Sequence, residues 1–155
     1  MQSVTQEQRA PAQVRLERHY PVAVEKVWRA WTEPQALSRW FNAGKPGAVS
    51  EAEIDLRVGG RYRIVTRLAD GETNDVGGEY LEIAPQRRLV FSWAWHSTPD
   101  RVSRVSIDLS AQDGGTTLLF VHDRFFDEQA RVNHERGWLM AFEHIDRLLT
   151  TPQEA

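Results

Sequence analysis

Residues 127–150 read Asp127-Glu128-Gln129-Ala130-Arg131-Val132-Asn133-His134-Glu135-Arg136-Gly137-Trp138-Leu139-Met140-Ala141-Phe142-Glu143-His144-Ile145-Asp146-Arg147-Leu148-Leu149-Thr150. Within them Trp138, Phe142, Ile145 and Leu149 stand at i, i+4, i+7 and i+11, the spacing that lines one side of a helix with apolar groups. Such a stripe has to be covered. Everything upstream, two short helical stretches apart, reads as strand, so the expected cover is an antiparallel sheet wrapped around this last helix.

Working outward, Thr116 to His122 is the strand that precedes the helix, entered from the Asp113-Gly114-Gly115 turn. Two registers are open for it: Leu118, Phe120 and His122 face the helix, or Leu119 and Val121 do. Upstream, Val105, Ile107 and Leu109 alternate with Arg104, Ser106 and Asp108, and Leu89, Phe91, Trp93 and Trp95 alternate with Val90, Ser92 and Ala94. Tyr80 to Ile83, ending at Pro85, is a further strand, and Gly77-Gly78 marks a bulge or a close approach of backbones. A hairpin pairs a strand starting at Ala52, with Ile54, Leu56 and Val58 on one face, with one carrying Tyr62 and Ile64, joined at Gly59-Gly60. Arg61 and Arg63 fall on its solvated face. The first strand runs Val14, Leu16, Arg18, Tyr20 and stops at Pro21. Val24, Val27, Trp28 and Trp31 then switch to the helical period, without a Ser, Thr, Asp or Asn to cap them. Pro34 opens a second short helix carrying Leu37, Trp40 and Phe41. The Asn42–Val49 loop, with Gly44, Pro46 and Gly47, is a candidate gate.

This order is α+β: strand, two short helices, about six more antiparallel strands, one long helix. The 155 residues suit one domain, taken as 14–150, between a disordered tail over 1–13 and a short tail over 151–155. A net charge of −3 supplies no basic field, which argues against nucleic acid as a partner. The absence of cysteine removes disulfides, zinc-thiolate sites, iron–sulfur clusters and a cysteine nucleophile together. No run approaches the roughly 20 apolar residues of a membrane span, and the polar start lacks a signal-peptide core, so the expected compartment is the cytoplasm.

The succession Val27-Trp28-Arg29-Ala30-Trp31-Thr32-Glu33-Pro34, then Leu37, Trp40 and Phe41, then Gly59-Gly60-Arg61-Tyr62, then Pro85 with Arg88-Leu89-Val90-Phe91-Ser92-Trp93, and finally His134-Glu135-Arg136-Gly137-Trp138 resembles the activator of heat-shock protein 90 ATPase homologue-like family of the START-like (SRPBCC) superfamily. The resemblance spans about Val14 to Leu149. It implies a helix-grip fold of six to seven strands with a hydrophobic ligand cavity between sheet and C-terminal helix. It does not imply one activity, because the superfamily includes lipid carriers, polyketide cyclases and hormone receptors.

Candidate chemistry is sparse. His134-Glu135 begins like H-E-x-x-H, but Trp138 stands where the second ligand belongs, so a zinc site fails and the pair reads as helix surface. Phosphate-binding glycine loops and G-x-S-x-G are absent, and the residues call for neither metal nor cofactor. The residues placed around a cavity are Tyr62, Tyr80, Phe91, Trp93, Trp95 and Val105 from the sheet, with Ile107, Phe120 and His122 beside them and Trp138 and Phe142 on the helix. The tyrosine hydroxyls either meet a ligand or sit in water at the rim; the aromatic rings serve equally as filled core or cavity wall. His122 is either paired by a neighbour or the one weak candidate for an acid or base. Gly137, costly inside a helix by about 1 kcal/mol, points to a close approach to the sheet or to a ligand. The leading expectation is a non-enzymatic binding module for a hydrophobic or aromatic small molecule. A cyclase- or hydratase-type enzyme using His122 comes second, and a chaperone-associated interaction protein, suggested only by the family name, third. A homodimer is compatible with the tryptophan content.

Overall fold

The computed structural model describes residues 12–150. Seven strands, β1 (Gln13–Tyr20), β2 (Val49–Ile54), β3 (Arg61–Arg67), β4 (Thr73–Ala84), β5 (Arg88–Trp95), β6 (Ser103–Gln112) and β7 (Gly115–Asp123), form one antiparallel sheet ordered β1-β7-β6-β5-β4-β3-β2. Between β1 and β2 lie α1 (Val24–Thr32) and α2 (Pro34–Trp40), and the chain ends in α3 (Glu128–Thr150). This is the α+β helix-grip arrangement. Of the expected tails, 1–11 and 151–155 lie outside the described residues, while Gln13 already belongs to β1.

The open register of the last strand resolves toward Leu118, Phe120 and His122, all enclosed. The ladder enforces this face: His122 stands between Val14 on β1 and Val105 on β6, and Phe120 between Leu16 and Ile107. Trp138, Phe142, Ile145 and Leu149 of α3 are the helix residues buried against the sheet and the two short helices. Asp127 caps α3 rather than entering it, its Oδ1 accepting from the Ala130 N–H at 2.8 Å. Trp40 Nε1 donates to the Ala30 carbonyl at 2.8 Å, tying α2 onto α1. As expected, α1 begins without a side-chain cap and Pro34 opens α2.

One reading is corrected and one open alternative is resolved. The strand placed over Ala52–Val58 runs instead from Val49 to Ile54. Leu56 and Val58 are 40% and 62% exposed, because Asp55 to Gly60 folds into a turn in which the Gly60 N–H donates to the Arg57 carbonyl. The Asp55 carbonyl lies where a Cβ on Gly60 would stand, so a side chain there would force the turn open. Gly77-Gly78 is a close approach, not a bulge: a Cβ on Gly78 would strike the Ser92 carbonyl of β5. The register shift comes later, between Tyr80 and Glu82, and leaves Leu81 exposed.

Candidate functional site

Toward the N-terminal half of α3 the sheet and helix do not close on each other. A half-open cavity of about 420 Å3 lies between the ends of β5 and β6, the segments 96–102 and 124–127, and α3. Its rings are Phe41, Trp93, Trp95, Phe125, Phe126 and Trp138; its polar groups include Asn42, Arg101, Ser103, Asn133 and His134. Small residues of α3, namely Ala130, Gly137 and Ala141, form the helical wall. At the mouth the Arg101 guanidinium lies 4.0 Å above the ring of Phe126, which is 61% exposed.

Two histidines, His134 on the cavity wall and His122 behind it, are held by indoles. Trp138 Nε1, which can only donate, reaches His122 Nδ1 at 2.9 Å. The proton of His122 therefore sits on Nε2, which donates to Ser103 Oγ at 2.7 Å, and the Ser103 hydroxyl passes a bond to the Trp93 carbonyl at 3.2 Å. Trp95 Nε1 donates to His134 Nε2 at 2.9 Å, so His134 carries its proton on Nδ1 and gives it to the Ala130 carbonyl at 2.7 Å. The rings of the two histidines are 5.1 Å apart, with Phe125 against both at 4.4 and 5.2 Å. Burial first, and then the neighbouring His134, pushes the His122 pKa well below the ordinary imidazole value. Burial lowers His134 too, opposed by its bond to the Ala130 carbonyl. Protonating either ring would set an N–H against an indole N–H. The arrangement thus holds two neutral imidazoles, and both ring nitrogens of His122 are committed.

Trp93, Trp95 and Trp138 come together on the cavity wall. Tyr62, Tyr80 and Phe91 do not reach it; they cluster deeper, with ring centroids 5.2–6.1 Å apart, around a void of about 20 Å3. Neither tyrosine sits at a wet rim: Tyr62 stands opposite Gly78, and its hydroxyl reaches past β4 to donate to the Ser92 carbonyl at 2.6 Å. Burial drives both phenols to titrate far above their usual range. Val105, Ile107, Phe120 and Phe142 are fully enclosed core, and His122 is enclosed behind the cavity. Arg63, on the solvated face, is paired bidentately with Asp75 at 3.0 and 2.6 Å.

The sequence model of the family described as Activator of Hsp90 ATPase homolog 1-like protein matches residues 21–150. The chain belongs to this family. Its fold is that of the START-like (SRPBCC) proteins, as solved structures of similar chains bear out. Protein CV1439 from Chromobacterium violaceum is 28% identical with a TM-score of 0.80, the match covering 92% of this chain and 100% of that one. Protein NE0264 from Nitrosomonas europaea is 26% identical with a TM-score of 0.74, covering 89% and 94%. CalU16 from Micromonospora echinospora is 29% identical with a TM-score of 0.68, covering 90% and 76%. No functionally curated protein matches the chain.

In this member of the Activator of Hsp90 ATPase homolog 1-like family, His134 is the main residue that sequence reasoning misplaced. It is half-buried and bonded to Trp95, not helix surface. The signal was present, since His134 precedes Trp138 by four residues and so extends the buried stripe by one turn. Gly137 makes no close approach to the sheet; a Cβ there would meet nothing within 4 Å. Phe125, Arg101 and Asn133 had no periodic signal, because they come from loops and from the first turns of α3. Among the described residues no helix is long and apolar enough to cross a membrane, and no group of three or more His, Asp or Glu is placed to hold a metal ion.

Proposed function

We propose that this protein binds a hydrophobic, ring-bearing small molecule in the cavity beside the N-terminal half of α3. The observation that supports this reading is the wall itself: six aromatic rings around about 420 Å3, a volume suited to a small ligand, interspersed with polar side chains that include Thr98, Arg101, Asp127, Gln129 and Asn133. Rings of a ligand would meet Trp95, Phe125 and Trp138 in tilted or edge contacts, and Asn133 and Arg101 would orient a polar end at the mouth. His122 takes no part in turnover on this reading, since its two nitrogens serve Trp138 and Ser103.

The test is thermal shift combined with native mass spectrometry against fatty acids, polycyclic aromatics and aromatic ketones. A ligand present at about 100 times its Kd stabilises the fold by about 2.7 kcal/mol, a shift readily measured. The expected result is one retained class of compound whose stabilisation disappears in Phe125→Ala. If no compound raises the unfolding midpoint or is retained, the reading is wrong.

A further inference from the structure

Among the residues that line the cavity, Arg101 and Asp127 carry charge. His134 adds none, because one of its ring nitrogens accepts from Trp95 and the other donates to the Ala130 carbonyl. The two charges are not answered in the same way. Asp127 caps α3, its Oδ1 accepting from the Ala130 N–H at 2.8 Å, so its carboxylate stands against the positive end of a 23-residue helix. Arg101 has no such counterpart: among the described residues no carboxylate forms an ion pair with it. The uncompensated charge on this wall is positive.

The guanidinium is nevertheless held. Its Cζ lies 4.0 Å above the ring of Phe126, and the backbone N–H of Arg101 donates to the Thr98 carbonyl at 3.0 Å, closing the turn that carries the side chain. A guanidinium supported through its face keeps its in-plane fork of N–H groups for an acceptor. Asn133 on α3 is a second donor on the same wall. Its Oδ1 accepts from Gln129 Nε2 at 3.0 Å, while its own amide N–H groups have no acceptor among the described residues. Acceptors line the wall as well, Gln129 Oε1 among them, but they bring no charge to set against Arg101.

We propose that the ligand of this cavity is a ring-bearing carboxylate: its rings lie against the aromatic wall, and its carboxylate takes the N–H fork of Arg101, with the Asn133 amide as a second donor. Arginine matches a carboxylate with two parallel N–H bonds, which fixes direction as well as charge. A neutral polar end would leave the guanidinium to water, and an ammonium end would be repelled by it. This rests on the reading that the cavity binds a ring-bearing molecule, and it adds the charge of that molecule.

The test compares anthracene-9-carboxylate with anthracene-9-carboxamide and 9-(aminomethyl)anthracene, one ring frame with three charges, by equilibrium dialysis at pH 7.5. The carboxylate is expected to bind about five- to tenfold tighter than the amide, more than a fully exposed ion pair supplies, because the guanidinium is already held on Phe126. In Arg101→Gln that preference should shrink to within about twofold while the amide keeps its affinity. Arg101 is exposed, so the substitution spares the core, and an unchanged urea midpoint verifies that it does. Added sodium chloride should weaken binding of the carboxylate and not of the amide. Equal binding of carboxylate and amide, a preference that survives Arg101→Gln, or tighter binding of the ammonium compound overturns the anion site and leaves the cavity reading standing. Binding of none of the three overturns the anion site, and the cavity reading falls with it only if the wider panel of ring compounds and fatty acids is not retained either.

Discussion

The two halves of α3 meet the same sheet in opposite ways. From Phe142 onward the interface is solid: Phe142, Ile145 and Leu149 are enclosed, and Phe142 packs edge-on against Phe120 at 5.3 Å. Before Phe142, Trp138 still packs on Phe120 at 4.5 Å and on Trp93 at 5.1 Å, but beside it Ala130, Gly137 and Ala141 line a cavity of about 420 Å3. The polar contacts divide the same way. At the closed end Asp146 takes a bond from the Tyr20 hydroxyl at 2.6 Å and an ion pair from Arg18 at 3.2 Å. At the open end neutral histidines are held by indoles. Side-chain volume along one face of one helix thus decides where the fold is sealed and where it can receive something. Backbone architecture is the same in both halves.

The closed half is where stability is concentrated, and the largest effect follows from it. Phe142→Ala removes a fully enclosed ring touching Trp31, Phe120 and Trp138, and should cost about 3–5 kcal/mol in urea unfolding. The folded fraction should still bind cavity ligands with little change, because Phe142 is no part of the cavity wall. A small loss of stability accompanied by loss of binding would show that the two halves are not separate.

The open half should reveal itself through pH. His122 and His134 both have pKa values lowered below the ordinary 6.5, so the unfolded chain takes up protons that the folded chain refuses. Their contribution is fully present above about pH 6.5 and is lost as pH falls toward the folded-state values, at up to about 1.4 kcal/mol per pH unit for each histidine. Asp75 and Glu128, held low by Arg63 and Arg131, add their loss only in the more acidic carboxylate range. Urea midpoints at pH 7.5, 6.0 and 5.0 should therefore fall steadily across the last two. A midpoint unchanged between pH 6.0 and 5.0 would mean that the imidazoles are not held neutral.

The helix stripe was readable in the sequence because periodicity records burial, Trp138, Phe142, Ile145 and Leu149 repeating at helical spacing, whereas strand spacing left two faces open for the last strand, Leu118, Phe120 and His122 or Leu119 and Val121. The cavity was not readable in the same way. Tyr62, Tyr80 and Phe91 carry the same apolar signature as Trp93 and Trp95, yet the first three surround a small void and the last two a real opening. Which of them faces space depends on what the opposite element supplies, and small residues such as Gly137 and Ala141 leave no period to detect. His134 was hidden for a different reason. It was weighed only as half of a metal motif, although its partner, Trp95, lies 39 residues away on a strand.

Filling the open half gives the smallest change in stability and the sharpest distinction. Gly137 lies in the interior of α3 and lines the cavity, and a side chain there would start in open space with nothing within 4 Å of its Cβ. Glycine in such a position costs about 0.8–1 kcal/mol relative to alanine, and leucine is nearly as good a helix former. Gly137→Leu should therefore hold or raise the unfolding free energy by up to about 1 kcal/mol, the new side chain projecting into the cavity that Gly137 lines. The same atoms would occupy the space in which a ligand ring is proposed to lie. Binding measured by native mass spectrometry should drop below detection while the fold gains stability, the opposite pairing to that of Phe142→Ala. If Gly137→Leu is as stable as expected and still binds, ligands enter elsewhere, and the open half of α3 loses its functional meaning. If it binds nothing and is more stable, the glycine is retained against helix propensity for the room it leaves.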